Sequence, residues 1–124
     1  MKNSKDIDEV CKVVMVNEKG EILFLIKKSG KLDLPGGHLQ QGESLLKGLF
    51  REVKEETSIS LSKAVFYKKI KNTNYFFARY NNDKIKLSDE HKSYQFINKE
   101  SLDLSDKYQK ISYEVSEEGK YKND

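Results

Sequence analysis

Glu52, Glu55 and Glu56 stand at i, i+3 and i+4 in the run REVKEET, with Arg51 directly before them. On a helix these three carboxylates are neighbours. At 100° per residue Glu52 and Glu56 fall about 40° apart. Like charges at that spacing repel by roughly a few tenths of a kcal/mol per pair, and the C-terminal end of a helix disfavours negative charge. The helix gains nothing from this arrangement, so something positive must offset it. Arg51, the i,i+4 partner of Glu55, is one source. A bound divalent cation is another, because carboxylate and carbonyl oxygens without a thiol or paired histidine suit Mg²⁺ or Mn²⁺. In a chain with 35% charged residues, a run of glutamates is also what a solvated helix face looks like. On these residues alone both readings stand.

The elements that must position these acids follow from patterning. Gly42 marks a helix entry, and Leu45, Leu46, Leu49, Phe50 and Val53 form an apolar stripe at helical spacing, so a helix is expected from Glu43. Gly48 lies mid-helix, where glycine costs about 1 kcal/mol relative to alanine; either it keeps space beside the acids or it is simply tolerated. Upstream, VCKVVMV (10–16) and EILFLIKK (21–28) read as strands joined by a turn at Asn17–Gly20. Pro35-Gly36-Gly37 forms the turn into the helical region. Downstream, residues 64–70, 74–80 and 93–97 read as strands, rich in aromatic and β-branched residues. Residues 98–111 read as a helix with Asn98 as N-cap, and the polar tail from Ser116 as frayed. Strands, a helix, more strands and a last helix give an α/β or α+β layer architecture with a partly antiparallel sheet.

A chain of 124 residues fits one domain spanning 1–124, with about 116–124 as a flexible tail. The net charge of +3 arises from interspersed lysines and acids and does not by itself imply nucleic-acid binding. Cys11 is the single cysteine, which excludes an intrachain disulfide, and its apolar setting predicts a buried thiol. No run approaches the ~18 apolar residues of a membrane span, and the N-terminal MKNSKDIDEV lacks an apolar signal region, so a cytoplasmic setting is expected.

The run from Gly37 to Ile59 resembles the Nudix box, G-x5-E-x7-R-E-U-x-E-E-x-G-U with U aliphatic. Gly37, Glu43, Arg51, Glu52, Val53, Glu55, Glu56 and Ile59 match, while Ser58 replaces the usual glycine. Glycine there ends the helix in a left-handed conformation; serine tolerates that less well, so the loop is expected to take another path at modest cost. The resemblance implies an α/β/α sandwich around a mixed, partly antiparallel sheet. It further implies Mg²⁺- or Mn²⁺-dependent hydrolysis of a nucleoside diphosphate linked to another group. By the same resemblance, Glu52 and Glu56 lead the metal ligands, with Glu55 and the Gly36 carbonyl. Arg51 and Glu43 position the acids, and Gly37 and His38 lie on the approach to the substrate.

The general base is expected to be a box glutamate, Glu52 or Glu55, or a glutamate on a later loop. SDEHKSYQF (88–96) resembles that loop and offers Glu90 as base or extra ligand, with Asp89 as its rival. His91 is either a phosphate contact or an ordinary loop histidine. Tyr75, 16 residues after Ile59, resembles the base-stacking tyrosine of the branch cleaving dinucleoside polyphosphates, although core packing explains it equally well. Dinucleoside polyphosphate is the favoured substrate on this ground. Nucleoside triphosphates, ADP-ribose or a nucleotide sugar, and capped RNA are the alternatives. The expected partners are a small nucleotide and a second copy in a homodimer, with no membrane. A non-catalytic nucleotide sensor on the same fold is the rival class, and such proteins usually lose box acids that this chain keeps.

Overall fold

Val13, Val14, Met15 and Val16 in β1 (Val10–Val16) and Ile22 to Leu25 in β2 (Glu21–Lys27) are buried on both faces of the sheet. That is why their sequences read as unbroken apolar runs. Cys11, Val13 and Met15 point to one layer, and Val14 and Val16 to the other, as the two-residue period of a strand requires. The computed structural model describes residues 8–122, with side chains as far as Glu118. Residues 1–7, which include most of the N-terminal segment, and residues 123–124, the end of the expected tail, lie outside the described residues.

The remaining elements are β3 (Leu32–Asp33), β4 (Gly36–His38), α1 (Leu45–Thr57), β5 (Val65–Ile70), β6 (Thr73–Arg79), β7 (His91–Asn98), a 3₁₀ turn (Lys99–Ser101) and α2 (Lys107–Lys122). The sheet runs β3-β2-β1-β6-β5, with β4 paired to β1 and β7 to β2. β1 and β6 are parallel and the other pairings antiparallel. The sheet is therefore mixed, as expected. α1 covers one face through Leu49 and Val53, and α2 covers the other through Ile111 and Val115. Each of these buried aliphatic side chains contributes roughly 1.5–3 kcal/mol.

One feature of the pairing creates a cleft. β1 meets β2 at Val16–Ile22 and then diverges from it. Further along, β1 takes β4 at Val10–Lys12, while β2 takes β3 at Leu25–Ile26. The sheet forks, and residues on opposite prongs face each other across the opening.

Several local expectations are corrected. α1 begins at Leu45, not Glu43, because the Ser44 hydroxyl accepts from the Lys47 N–H at 3.2 Å and acts as N-cap. Leu46 is 42% exposed and leaves the apolar stripe. Asn98 caps only the 3₁₀ turn, accepting from the Glu100 N–H at 2.9 Å. Asp106 begins α2, with its carbonyl accepting from Lys110 and its carboxylate from Gln109. That helix runs past Ser116, which is buried, so the chain is helical where fraying was expected. Ser58 does adopt the left-handed conformation, with φ 69° and ψ 9°. Its N–H donates to the Lys54 carbonyl at 2.9 Å and its hydroxyl to the Lys86 carbonyl at 3.0 Å, so the side chain offsets the strain and the usual helix end is kept.

Candidate active site

The last two turns of α1 carry the acids, and Arg51 organises them. Its Nε donates to Glu43 Oε2 at 2.7 Å and Nη2 to Glu43 Oε1 at 2.9 Å, a bidentate pair. Nη1 donates to Glu52 at 3.0 Å and to Glu55 at 3.3 Å, and Nη2 to the His38 carbonyl at 3.1 Å. The hydrogen bond from Arg51 holds the Glu43 carboxyl below its ordinary range. Arg51 thus braces α1 against β4 and fixes the rotamer of Glu52. Gly48 leaves room for Leu39 and for Glu43, whose Oε1 would be 3.1 Å from an added β-carbon.

The two glycines of β4 let backbone lie against these acids. Gly36 has φ +130°, and a β-carbon there would be 2.9 Å from Lys12 Cα. Its N–H donates to Glu56 Oε1 at 2.9 Å. Glu56 is 5% exposed. Burial pushes its carboxyl up to about 8, with Gly36 and Lys12 pulling downward and Asp33 and Glu52 adding to the rise. A carboxyl so placed is ready for a positive ligand, and in this respect the residues fit a divalent cation.

The fork also supplies groups that sequence patterning does not single out, Lys12 on the β1 prong and Asp33 on the β3 prong. Lys12 is buried, and its Nζ donates to Asp33 Oδ1 at 3.0 Å, the Leu34 carbonyl at 3.0 Å and the Gly36 carbonyl at 3.4 Å. Three acceptors satisfy all three ammonium hydrogens. Asp33 Oδ2 lies 2.9 Å from His91 Nε2. Burial alone would raise the Asp33 carboxyl, but Lys12 and His91 outweigh it and hold it low. The visible signals were a lysine inside the apolar run VCKVVMV and an aspartate between two leucines in KLDLPGG.

The loop before β7 is stitched to the end of α1. The Lys86 N–H donates to the Thr57 carbonyl at 2.9 Å and the Ser88 N–H to the Glu56 carbonyl at 3.0 Å. This brings Glu90 and His91 beside Glu56, with one ligand atom of each within 4.8 Å of the others. These residues line a cleft of about 560 Å³, together with Lys12, Asp33, Gly36, Gly37, His38 and Glu52. Lys27, Lys28 and Ser29, at the end of β2, line it as well.

The fork therefore gathers Glu52, Glu56, Glu90, Gly36, Gly37 and His38 as the sequence reading anticipated, and adds Lys12, Lys27, Lys28 and Asp33. Two expected residues are not brought in. Glu55 has a side chain 57% exposed and lies on the outer side of Arg51, away from the cleft lining. Tyr75 is 2% exposed and packs in the other core layer with Ile111 and Val115. Its ring faces α2, because its register on β6 points it away from α1. The Gly36 carbonyl is shared with the Lys12 ammonium, so a cation there would compete with it. Cys11 is buried as expected, its thiol pushed up to about 12 by burial.

The NUDIX domain profile matches residues 8–118. The chain belongs to the NUDIX family. Among solved structures, the Nudix chain is similar to the MutT protein of Methanosarcina mazei Go1, at 29% identity over 90% of this chain and 93% of that one, with a TM-score of 0.66. It is also similar to an Ap4A hydrolase of C. elegans, at 26% identity over 74% and 80% of the two chains and a TM-score of 0.62. A MutT NUDIX hydrolase of Burkholderia pseudomallei shares the fold, with a TM-score of 0.71 at 21% identity over 85% and 94%. Among curated proteins none matches. The Nudix assignment makes this chain a pyrophosphohydrolase acting on small nucleotides, in a family that typically uses divalent metals. Among the described residues no helix is long and apolar enough to cross a membrane.

Proposed function

We propose that this Nudix enzyme hydrolyses a phosphoric anhydride bond of a dinucleoside polyphosphate in the presence of Mg²⁺ or Mn²⁺. The observation that carries the reading is a single cleft lined by the acids Glu52, Glu56 and Glu90 and by the bases Lys27 and Lys28. A polyphosphate chain is densely anionic, and that charge slows nucleophilic attack by water or hydroxide at phosphorus. A cation held by Glu52, Glu56 and Glu90 would neutralise that charge and lower the pKa of a bound water. The two lysines would hold phosphates beyond the bond being cleaved, a need that grows with the number of phosphates. Glu90 is exposed on its loop, and the carboxylate oxygen it does not give to the cation would accept the proton of the attacking water. Arg51 would keep Glu52 in register. Similarity to the C. elegans Ap4A hydrolase favours the dinucleoside class. The stacking role expected of Tyr75 drops out of this reading, since that ring is buried against α2.

The test is a panel of dinucleoside polyphosphates, nucleoside triphosphates, ADP-ribose, a nucleotide sugar and capped RNA. It is run with each metal on wild type and Glu56→Gln. A dinucleoside polyphosphate is expected to give the highest kcat/KM. Glu56→Gln should lower that value by more than the roughly 10–100-fold typical of outer partners at metal sites. Faster cleavage of another class would overturn the substrate, and equal rates in both proteins would overturn the site.

A further inference from the structure

His91 opens β7, pairs with Lys27 of β2 beside a bulge, and is buried. Its Nε2 lies 2.9 Å from Asp33 Oδ2, and a carboxylate oxygen accepts, so Nε2 is taken up as the donor of that hydrogen bond. That leaves Nδ1 as the ring nitrogen not engaged by Asp33. Among the described residues this buried atom has no hydrogen-bond partner, a condition native structures rarely leave unexplained. A divalent cation is a partner that an imidazole nitrogen takes. A ring nitrogen of His91 and one oxygen each from Glu56 and Glu90 lie within 4.8 Å of one another, a spacing at which three donors can share one ion.

We propose that His91 Nδ1 is a nitrogen ligand to the divalent cation held by Glu56 and Glu90, with Asp33 and Lys12 as the outer partners that fix the ring. The arrangement follows the general design in which a carboxylate grips the far nitrogen of a metal-bound histidine and sets its tautomer. Here the carboxylate is itself gripped by a buried ammonium, Lys12 Nζ to Asp33 Oδ1 at 3.0 Å. The inference rests on the pyrophosphohydrolase reading for the presence of the cation, and adds the identity of one donor. An imidazole in an otherwise oxygen set favours Mn²⁺ and the later divalent metals over Mg²⁺.

The test uses the tag-free full-length protein with Mn²⁺ alone. Electron spin-echo envelope modulation reads nitrogen bonded to the ion, and calorimetry reads its affinity. The chain contains two histidines, His38 and His91, so single variants separate them. Wild type and His38→Gln are expected to show the nitrogen signal. His91→Gln, whose side-chain amide can still reach Asp33, is expected to lose the signal and to bind Mn²⁺ at least about tenfold more weakly, with a smaller change for Mg²⁺. Should His91→Gln fail to fold, His38→Gln decides the matter, since His91 is then the one histidine present. Mn²⁺ bound without a nitrogen signal, or a signal lost in His38→Gln instead, overturns this inference and leaves the carboxylate site standing. No Mn²⁺ binding at all overturns both.

Discussion

The carboxylate of Glu52 occupies the place a side chain on Gly37 would take: a β-carbon built there stands 2.6 Å from Glu52 Cδ. The two residues lie on different elements, so the contact joins β4 to α1 at the cleft. Gly37 is not among the glycines with positive φ, so alanine suits its backbone and the conflict is confined to the carboxylate. Gly37→Ala is expected to displace Glu52 and weaken Mn²⁺ binding by about tenfold or more. The unfolding midpoint should move by less than about 8 °C. Titration calorimetry and thermal unfolding of the same preparation check both parts.

Glu56 supplies a pH signature. Burial pushes its carboxyl up to about 8 from an ordinary 4.5. Between those values the folded metal-free protein binds more protons than the unfolded chain, so its stability falls as pH rises across the window and levels off above it. A cation needs the ionised form, so Mn²⁺ binding should release a proton below about pH 8 and progressively less above it. Calorimetry in buffers of different ionisation enthalpy measures the release. Glu56→Gln should abolish it and flatten the stability profile.

Arg51 spans Glu43, Glu52 and the His38 carbonyl. Lysine keeps the charge but cannot reproduce a planar fork. Arg51→Lys is therefore expected to lower kcat/KM nearly as much as Arg51→Ala. Each should cost about 1.5–3 kcal/mol of stability, the range for charge-assisted hydrogen bonds. Denaturant unfolding and steady-state kinetics of both variants test this.

Tyr75 separates packing from recognition. It is buried with Val14, Ile111 and Val115. Tyr75→Phe should leave KM for any nucleotide unchanged, whereas Tyr75→Ala should destabilise the fold by about 3–5 kcal/mol. A large rise in KM for Tyr75→Phe without loss of stability would restore a substrate role.

Much of this molecule can be read from residue types and spacing. The apolar runs of β1 and β2 announce strands buried on both faces, and Leu49 and Val53 announce the inner side of α1. The fixed offsets from Gly37 to Glu56 carry the acid cluster. Lys12 and Asp33 escape such a reading, and His91 is read only as a phosphate contact or a loop histidine, because the three lie on β1, β3 and β7 and meet only where the sheet forks. Tyr75 escapes it for a different reason. Alternation along NYFFARY separates two faces without saying which of them looks toward the acids. The start of α2 is ambiguous in the sequence because Asn98 and Asp106 are both competent caps, and packing of Ile111 and Val115 favours the second.

The stitching of the loop before β7 to the carbonyls of Glu56 and Thr57 makes that segment a ruler. Its zero mark is the end of α1, and its reading is the distance at which Glu90 and His91 are presented. A residue inserted between Asp83 and Lys86 lies ahead of the pinned backbone and can bulge into solvent. One inserted between Ser88 and His91 lies beyond the pins and must shift the reading. Length variation on the two sides of Ser88 should therefore have opposite fates, harmless on one and disabling on the other.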